Sequence, residues 1–129
     1  MKNYPISPAL STPRGYSHVV TASGTMVFVA GQISLDKDGN VVGAGDLRAQ
    51  TIQVLENVKA ALTAAGATFA DVVKMNTYVV NLNPEALPVI REVRSQYFPA
   101  VNPPASTLVG VTALAFEGLL IEIEVVAVV

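Results

Sequence analysis

Two glutamates near the end of the chain are the residues best suited to catalysis. Glu122 and Glu124 lie in "LLIEIEVVAVV", where one apolar residue separates them, so a β-strand presents both carboxylates on one face. A carboxylate held in a partly apolar cleft has a raised pKa and acts as a base, whereas one that stays ionised positions water. The alternative is that both are strand residues that face solvent near a sheet edge. The pair alone leaves both interpretations open.

A proline-rich segment supplies two hydroxyl side chains shortly before that strand. In "NPPASTLVGV", residues 102–111, two prolines forbid helix and interrupt a strand ladder, and Ser106 and Thr107 follow them. A serine or threonine nucleophile needs a neighbouring base, and none can be identified in the sequence. We therefore interpret these hydroxyls as groups that bind backbone or ligand.

The other candidates also have ordinary alternatives. His18 has the chemistry of a general base, yet a single histidine in a strand without an assignable partner is more often structural. The run Gly43-Ala44-Gly45 precedes a helix but lacks a phosphate-loop motif, which indicates a plain loop. Arginines are usually surface residues, and three of them matter only if an anionic ligand lies near: Arg14, Arg91 and Arg94.

Composition excludes several classes of site. The chain has no cysteine and one histidine, which removes disulfides, thiolate nucleophiles and zinc-thiolate centres. The net charge is −2 and the eight basic residues are scattered, so we expect no nucleic-acid partner. Of the 129 residues 51% are hydrophobic and 14% charged, which is more apolar than a small monomer usually hides. We expect one domain that forms an oligomer.

The uncharged runs are not continuous apolar spans. The two longest, residues 15–35 and 99–116, are interrupted by Gly, Pro, Ser, Thr, Asn and Gln, so neither predicts a transmembrane segment. The first ten residues lack the apolar centre of a signal peptide. We therefore expect a soluble, cytoplasmic protein with no membrane partner.

Two helices are predicted. Between residues 46 and 65 the apolar residues recur at helical spacing, with Asp46 placed to cap the start and Gly66 to end the helix. Asn83-Pro84 opens a second helix, whose regular turns begin near Pro88. The residues expected to face the core are Leu47, Ile52, Leu55, Val58, Leu62 and Ala65 in the first helix, and Leu87, Ile90, Val93 and Tyr97 in the second.

Strands are predicted before, between and after these helices. Two flank Ser23-Gly24, a hairpin turn follows at Asp38-Gly39, "VVKMNTYVV" alternates, and "TLVGV" and "LLIEIEVVAVV" close the chain. The order β-β-α-β-α-β-β predicts an α+β two-layer sandwich, with one sheet covered on one face by two helices. The last strand is apolar on one face and at both ends of the other. We expect another subunit to cover that second face and to place Glu122 or Glu124 beside an intersubunit cleft.

As a set, these motifs resemble the RidA/YjgF family of reactive-intermediate deaminases, also labelled L-PSP endoribonuclease-like proteins. "GYSHVV" resembles the family's early tyrosine motif, and "VFVAGQIS" its strand that ends in Gly-Gln. "QTIQVLENVKAALTAAGATFADVVKMNTYVVNL" is similar to its helix and following strand, and "PPASTLVGV" with "IEIEVVAV" to its closing signature. The resemblance extends from Tyr16 to Val128, over nearly the whole chain.

The resemblance implies a chorismate-mutase-like fold with a mixed sheet, a homotrimer whose sheets form a central barrel, and three pockets between subunits. Active members hydrolyse short-lived imines and enamines, such as 2-aminoacrylate or its imine, to a keto acid and ammonia without a metal or organic cofactor. By this resemblance, Tyr16 lines the pocket, the backbone at Gly31 binds the substrate carboxylate, and Glu122 positions the attacking water. Hydrolysis of an iminium needs little more than a polarised C=N, an oriented water and an anchor for the carboxylate.

The anchor is where this sequence departs from the family. Active members carry P-A-R-S, whose arginine grips the carboxylate, whereas Ser106 stands at that position here. Loss of such a partner costs on the order of 2–5 kcal/mol, or roughly thirty- to several-thousand-fold in binding. Ser106, Thr107 and the backbone of Leu108 are then expected to bind a neutral or weakly anionic group. The alternative is that Arg91 or Arg14 reaches the pocket as a substitute anion anchor.

Two other functions compete with deamination. A non-catalytic relative would bind a small metabolite or act as a chaperone-like or regulatory trimer, and the role of Glu122 separates the two cases. Endoribonuclease activity follows from the family's older label, but the acidic net charge and the lack of a basic groove argue against it. The prediction is a RidA-like hydrolase of a reactive imine, enamine or related small metabolite, with scope altered by Ser106.

Overall fold

Two helices pack on one face of a four-stranded mixed sheet. The computed structural model describes residues 1–129. The elements are β1 (Lys2–Asn3), β2 (Thr21–Ala22), β3 (Met26–Ile33), α1 (Leu47–Ala64), a 3-10 turn (Phe69–Asp71), β4 (Val72–Val80), α2 (Ala86–Arg94), β5 (Ala105–Val111) and β6 (Ile121–Val128). The main sheet has the order β3-β6-β4-β5, in which only β4 and β5 are parallel. The predicted α+β class, with one mixed sheet and two helices, is confirmed.

The core lies between the sheet and the helices. β4 and β6 turn alternate residues into it, as their sequence periodicity predicts. The buried set is Val72, Met75, Thr77 and Val79 from β4, and Ile121, Ile123, Val125 and Ala127 from β6; a register shift between Val72 and Lys74 interrupts the alternation at the start of β4. The opposite surface is called the open face below, and it includes Lys74, Asn76 and Tyr78 of β4 and Glu122, Glu124, Val126 and Val128 of β6.

Both ends of α1 are fixed by local hydrogen bonds. The carboxylate of Asp46 accepts the backbone N–H of Ala49 at 3.0 Å and caps the first turn. Gly66 has a φ of 72°, and the N–H of the residue after it bonds the carbonyl of Leu62 at 2.8 Å, which closes the last turn. The predicted helix and both its boundary residues are confirmed. Ala65, however, lies beyond the last turn and is exposed rather than inward.

Two inward positions of α1 are taken by polar residues, Gln50 and Thr51. The inward position predicted for Ile52 is wrong, because its side chain is 40% exposed. Gln50 is fully buried instead: its Nε2 donates to the carbonyls of Gly43 and Gly118 at 3.0 and 2.8 Å, and its Oε1 accepts the N–H of Leu120 at 2.8 Å. These bonds satisfy the buried amide and tie two loops to the helix.

The start of α2 agrees with the sequence. The side-chain oxygen of Asn83 accepts the backbone N–H of Ala86 at 3.0 Å, at the point where the helix begins. Pro88 falls in the first turn, where a helix has no partner for its N–H groups and proline is tolerated. Ile90 and Val93 are each 1% exposed and pack in the core, and Leu87 is partly buried. Tyr97 is also partly buried, but it lies beyond the last residue of the helix, Arg94, and not within the helix as predicted.

Two strands flank Ser23-Gly24 as predicted, but they do not pair with each other. β2 pairs with β1 at the start of the chain, and β3 pairs with β6 alone. Between them the backbone of Thr25 exchanges two hydrogen bonds with Val129, at 2.7 and 2.9 Å, so the chain passes from one sheet to the other here. An apolar pattern does not reveal that the first residues of the chain supply the partner strand.

The turn predicted at Asp38-Gly39 is confirmed. The carboxylate of Asp36 accepts the backbone N–H groups of Asp38 and Asn40, each at 2.9 Å. The backbone N–H of Asn40 is the main cause that lowers the pKa of Asp36 below its ordinary value, and the N–H groups of Asp38 and Gly39 lower it further. Gly39 has a φ of 83°, in the left-handed region that glycine adopts without strain.

Candidate active site

Glu122 lies on the open face against a bulge in the neighbouring strand. Between Val29 and Gln32 the pairing of β3 with β6 shifts by one residue. Gly31 lies in this bulge, and a β-carbon on it would come 2.8 Å from Cδ of Glu122 and closer still to Oε2. A bulge redirects the backbone of one strand, and glycine here leaves the space that the carboxyl group fills. Gly31 and Glu122, both predicted site residues, are therefore neighbours within one chain.

The two glutamates of β6 have opposite environments. Oε1 of Glu124 accepts hydrogen bonds from the hydroxyl of Tyr78 at 2.5 Å and from the amide of Asn76 at 3.1 Å. These bonds, that of Tyr78 first, lower the pKa of Glu124. Glu122 accepts no such bond; burial raises its pKa, and the nearby charge of Glu124 raises it further. Such divergence of two carboxyl groups is typical of acid–base sites, and here Glu122 is the group free to take up a proton.

Ser106 and Thr107 point to opposite sides of β5. Thr107 is on the open face, where its hydroxyl accepts a hydrogen bond from Nζ of Lys74 at 2.8 Å. Ser106 pairs with Met75, a core residue, so strand alternation turns Ser106 toward the helix layer together with Leu108. Within one chain the two hydroxyls therefore do not converge on one ligand.

The proline-rich segment holds the chain around Tyr16. The backbone N–H of Ser17 donates to the carbonyl of Pro104 at 3.0 Å, and its hydroxyl donates to the carbonyl of Pro103 at 2.5 Å. Ser17 also forms a single parallel bridge with Ala105, the first residue of β5. Proline has no N–H but keeps its carbonyl as an acceptor. The half-buried Tyr16 is thereby fixed beside the start of β5.

His18 makes contacts of a structural kind. Its Nε2 lies 2.7 Å from the carbonyl oxygen of Ser11, and its ring packs edge-to-face against Tyr16 with the centroids 5.2 Å apart. One ring nitrogen of His18 is thus hydrogen-bonded to a backbone carbonyl, and the other ring nitrogen has no protein partner. These contacts orient the ring of Tyr16.

Arg14 and Arg91 line one cavity of about 400 Å³ at the end of α2. A third arginine, Arg94, lines it as well and is only 9% exposed, contrary to the usual surface position of this residue type. Its guanidinium donates to the carbonyl oxygen of Gly15 at 3.4 Å. A signal for its burial exists, because Arg94 follows the core residue Ile90 by four positions on the same helix face.

Within one chain the candidate residues form two groups. The open-face group is Gly31, Glu122 and Thr107, and the group around the proline-rich segment is Tyr16, Arg14 and Arg91. No hydrogen bond or ion pair joins one group to the other. Asn76 and Tyr78, which determine the state of Glu124, are absent from the predicted site. The alternation of β4 in the sequence indicates that Asn76 and Tyr78 share one face. Only the pairing of β4 with β6 in the structure shows that Tyr78 lies opposite Glu122.

The structure contains neither a cluster of metal-ligating side chains nor a membrane-spanning helix. No group of three or more His, Cys, Asp and Glu side chains is arranged so that it could hold a metal ion. Neither helix combines the length and the apolar character that crossing a membrane requires.

Comparison with known proteins places this chain in one family. The sequence pattern of the family described as "Endoribonuclease L-PSP" matches residues 7–129. A RutC family protein of Pyrococcus abyssi is 41% identical over 112 residues, 87% of this chain and 84% of that protein. A protein of Dermatophagoides farinae named 2-iminobutanoate/2-iminopropanoate deaminase is 34% identical over 125 residues, 97% and 92% of the two chains. The solved structure of the Rid family protein YyfB from Yersinia pestis, described as of unknown function, is 42% identical with a TM-score of 0.91, over 99% and 98% of the chains.

The fold and these matches define the class: a small α+β protein with a carboxyl group set against a bulged strand. The chain belongs to the Endoribonuclease L-PSP family, whose members also carry the names RidA, YjgF and RutC. The family resemblance that the sequence motifs indicate is confirmed.

Proposed function

We propose that this protein hydrolyses a reactive imine or enamine at a pocket between the subunits of a homotrimer, with Glu122 as the group that activates water. The carrying observation is the contrast between the two carboxyl groups of β6. Glu124 is held by Tyr78 and Asn76, whereas Glu122 accepts no hydrogen bond and has a raised pKa. A general base needs a free lone pair and a pKa moved toward the working pH.

The proposed reaction adds water to the carbon of a C=N bond. The water oxygen forms the new C–O bond, Glu122 takes the proton that the water loses, and the C=N electron pair moves to nitrogen. Glu122 delivers this proton to the nitrogen, which gives a carbinolamine. The hydroxyl proton of the carbinolamine then passes through Glu122 to the nitrogen, the C–N bond breaks, and ammonia leaves as the C=O bond forms. The backbone at Gly31, beside Glu122, binds the substrate and holds its carbon near the water.

A second subunit is proposed to complete the pocket. The apolar part of the open face is exposed in a single chain, with Phe28 72% and Met26 54% exposed. Soluble chains seldom leave such a surface to water, and the chorismate-mutase-like trimer implied by the resemblance would cover it in a central barrel. In that assembly Tyr16 and the proline-rich segment of one subunit meet Glu122 of the next.

The scope of the reaction is proposed to differ from that of members with the loop arginine. Ser106 supplies no charge at that position. Arg14 and Arg91, which line the cavity next to the proline-rich segment, take over the anchoring of an anionic group. Thr107, whose hydroxyl is bonded to Lys74 on the open face, and the backbone of Leu108 are proposed to lie at the rim of the intersubunit pocket. The relative named as an imine deaminase supports the reaction type.

The test is imine hydrolysis by the purified protein. An amino-acid oxidase generates 2-iminopropionate and bulkier imines in situ, and semicarbazide traps what remains. The wild type should accelerate the loss of at least one imine, and Glu122→Gln should lower turnover about 10²–10⁴-fold with its assembly unchanged. Turnover should rise as the pH increases through the raised pKa of Glu122, because only the ionised carboxyl group accepts a proton.

Two further variants complete the experiment. Glu117→Gln removes the same charge from an exposed loop residue and should keep wild-type turnover. Ser106→Arg should gain activity on small imines with a free carboxylate, if the serine sets the scope. Equal turnover of wild type and Glu122→Gln would refute the assignment of the base.

A second function, binding without catalysis, is favoured by one observation. The cavity that holds Arg14 and Arg91 is lined by no His, Asp or Glu, which suits a binding site better than a reaction centre. A metabolite-binding, chaperone-like or regulatory trimer predicts no turnover in either wild type or Glu122→Gln. An inert wild type together with an active Ser106→Arg would favour this function.

A further inference from the structure

Arg94 is the only charged side chain among the buried residues of the chain. Its guanidinium makes a single hydrogen bond, to the carbonyl of Gly15 at 3.4 Å. The one ion pair of the chain joins Arg48 to Glu92, so no carboxylate neutralises Arg94. A buried charge is unfavourable unless it is paired, and a guanidinium carries five N–H donors. Arg94 therefore lacks partners that a ligand could supply.

Two more arginines surround the same space. Arg14 and Arg91 line the cavity of about 400 Å³ together with Arg94, and no Asp or Glu lines it. Burial lowers the pKa of Arg94, and the charge of Arg91 lowers it further, so these two cations repel each other. The dipole of α2 favours cations in its last turn, where both lie. The helix dipole explains why cations lie in the last turn at the surface. It does not explain why the buried guanidinium of Arg94 lies close to the charge of Arg91.

We propose that this three-arginine cavity binds a small molecule that carries two negative charges on oxygen atoms, such as a phosphate monoester or a dicarboxylate. A monoanion would leave two of the three positive charges unmatched. Guanidinium groups bind carboxylate and phosphate through paired N–H donors, and the buried position of Arg94 reduces screening by water. The cavity is also larger than a free ion requires, and the buried ring of Phe98 offers an apolar wall for the rest of the ligand.

This inference names the substrate class of the proposed function, and it rests on that function only where the ligand is taken to be the substrate. The dianion would then be an imine or enamine with a second acidic group. Binding of the dianion is measured without turnover. If the wild type hydrolyses imines but binds no dianion, this inference alone is refuted. If the wild type binds dianions but hydrolyses no imine, the proposed function alone is refuted.

The experiment is calorimetric titration of the purified, assembled protein with malonate, inorganic phosphate and acetate at constant ionic strength. The wild type should bind malonate or phosphate at least tenfold more tightly than acetate. The order of malonate and phosphate then distinguishes a dicarboxylate from a phosphate ligand. Equal affinity for acetate and malonate, or no binding of either dianion at millimolar concentration, would overturn the proposal.

Three arginine variants locate the binding. Arg94→Met should weaken dianion binding at least tenfold. Arg91→Met should also weaken it, and because Arg91 is exposed this variant does not threaten the fold. Arg48 forms the ion pair with Glu92 and does not line the cavity. Arg48→Met therefore removes one positive charge outside the cavity, and this variant should bind dianions as the wild type does. If Arg91→Met and every folded Arg94 variant bind dianions as the wild type does, the cavity is not the site.

Discussion

Gly31→Ala tests the contact between the bulge of β3 and the carboxyl group of Glu122. The added β-carbon would lie 2.8 Å from Cδ of Glu122. Carbon atoms in contact are about 3.5 Å apart, so the contact with Cδ alone requires a retreat of about 0.7 Å, and Oε2, which is closer to the added β-carbon, must move further. Gly31 does not have a positive φ, so alanine brings no backbone strain of that kind. The obstacle is the far end of a flexible side chain, which can turn at a cost of about 0.5–1.5 kcal/mol.

The expected result is a large effect on turnover and a small one on stability. Alanine in a strand is favoured over glycine by roughly 0.5–1 kcal/mol, which offsets most of the cost of turning Glu122. The free energy of unfolding in urea should therefore change by less than about 1 kcal/mol. A misplacement of about 1 Å costs on the order of 100-fold in rate, so a shift of this size should lower imine turnover about 10- to 100-fold.

A glycine elsewhere in the same sheet provides the control. Gly110 of β5 also lacks a positive φ, and its added β-carbon would meet Cβ of Leu82 at 3.2 Å. Gly110→Ala should cost a little stability and leave turnover unchanged, as measured with the semicarbazide assay and urea unfolding. If Gly31→Ala keeps wild-type turnover, the position that the bulge gives to Glu122 is irrelevant to catalysis and the reasoning fails.

Two further substitutions test the fold. Gln50→Leu removes three hydrogen bonds and leaves the N–H of Leu120 without its partner, so urea unfolding should show a loss of about 2–4 kcal/mol. Gln53→Leu, which loses one side-chain bond, should cost under about 1 kcal/mol, and equal losses would contradict the role given to Gln50. Burial and the hydrogen bond to Glu56 raise the pKa of Tyr97 from 10.0 to about 12. The unfolded chain therefore loses the phenol proton at a lower pH than the folded chain does. The free energy of unfolding of the wild type should fall as the pH rises from 10.0 to about 12. Tyr97→Phe should flatten this loss in thermal unfolding followed by circular dichroism, and an identical slope in both proteins would count against it.

Features that depend on neighbouring residues could be predicted from the sequence. Asp46 and Gly66 bound α1 because each acts on backbone groups within one turn of itself. The burial of Gln50 could not be predicted, because one of its partners is the carbonyl of Gly118, 68 residues away. A polar residue reads as exposed until such distant acceptors are known. The pairing of β2 with the start of the chain is a long-range feature of the same kind.

The candidate site divides along the same line. The motif around Glu122 could be found in the sequence, and its alternation correctly places both glutamates on one face. The difference between them could not, because it depends on the register that brings Tyr78 and Asn76 to Glu124. Arg94 lies on the buried face of α2, but an arginine is predicted to be exposed because it is charged. Its burial could therefore not be predicted from residue type.

The bulge of β3 constrains how the length of this strand can vary. β3 carries one residue more than β6 opposite it between Val29 and Gln32. Deletion of one residue there would restore an unbroken ladder in which the flanking residues keep their partners on β6, and therefore their faces. Such a chain would keep the fold and pair more regularly, while the recess for Glu122 closed. A one-residue gap at this place in a related sequence would therefore mark a protein that has retained the scaffold and lost the pocket.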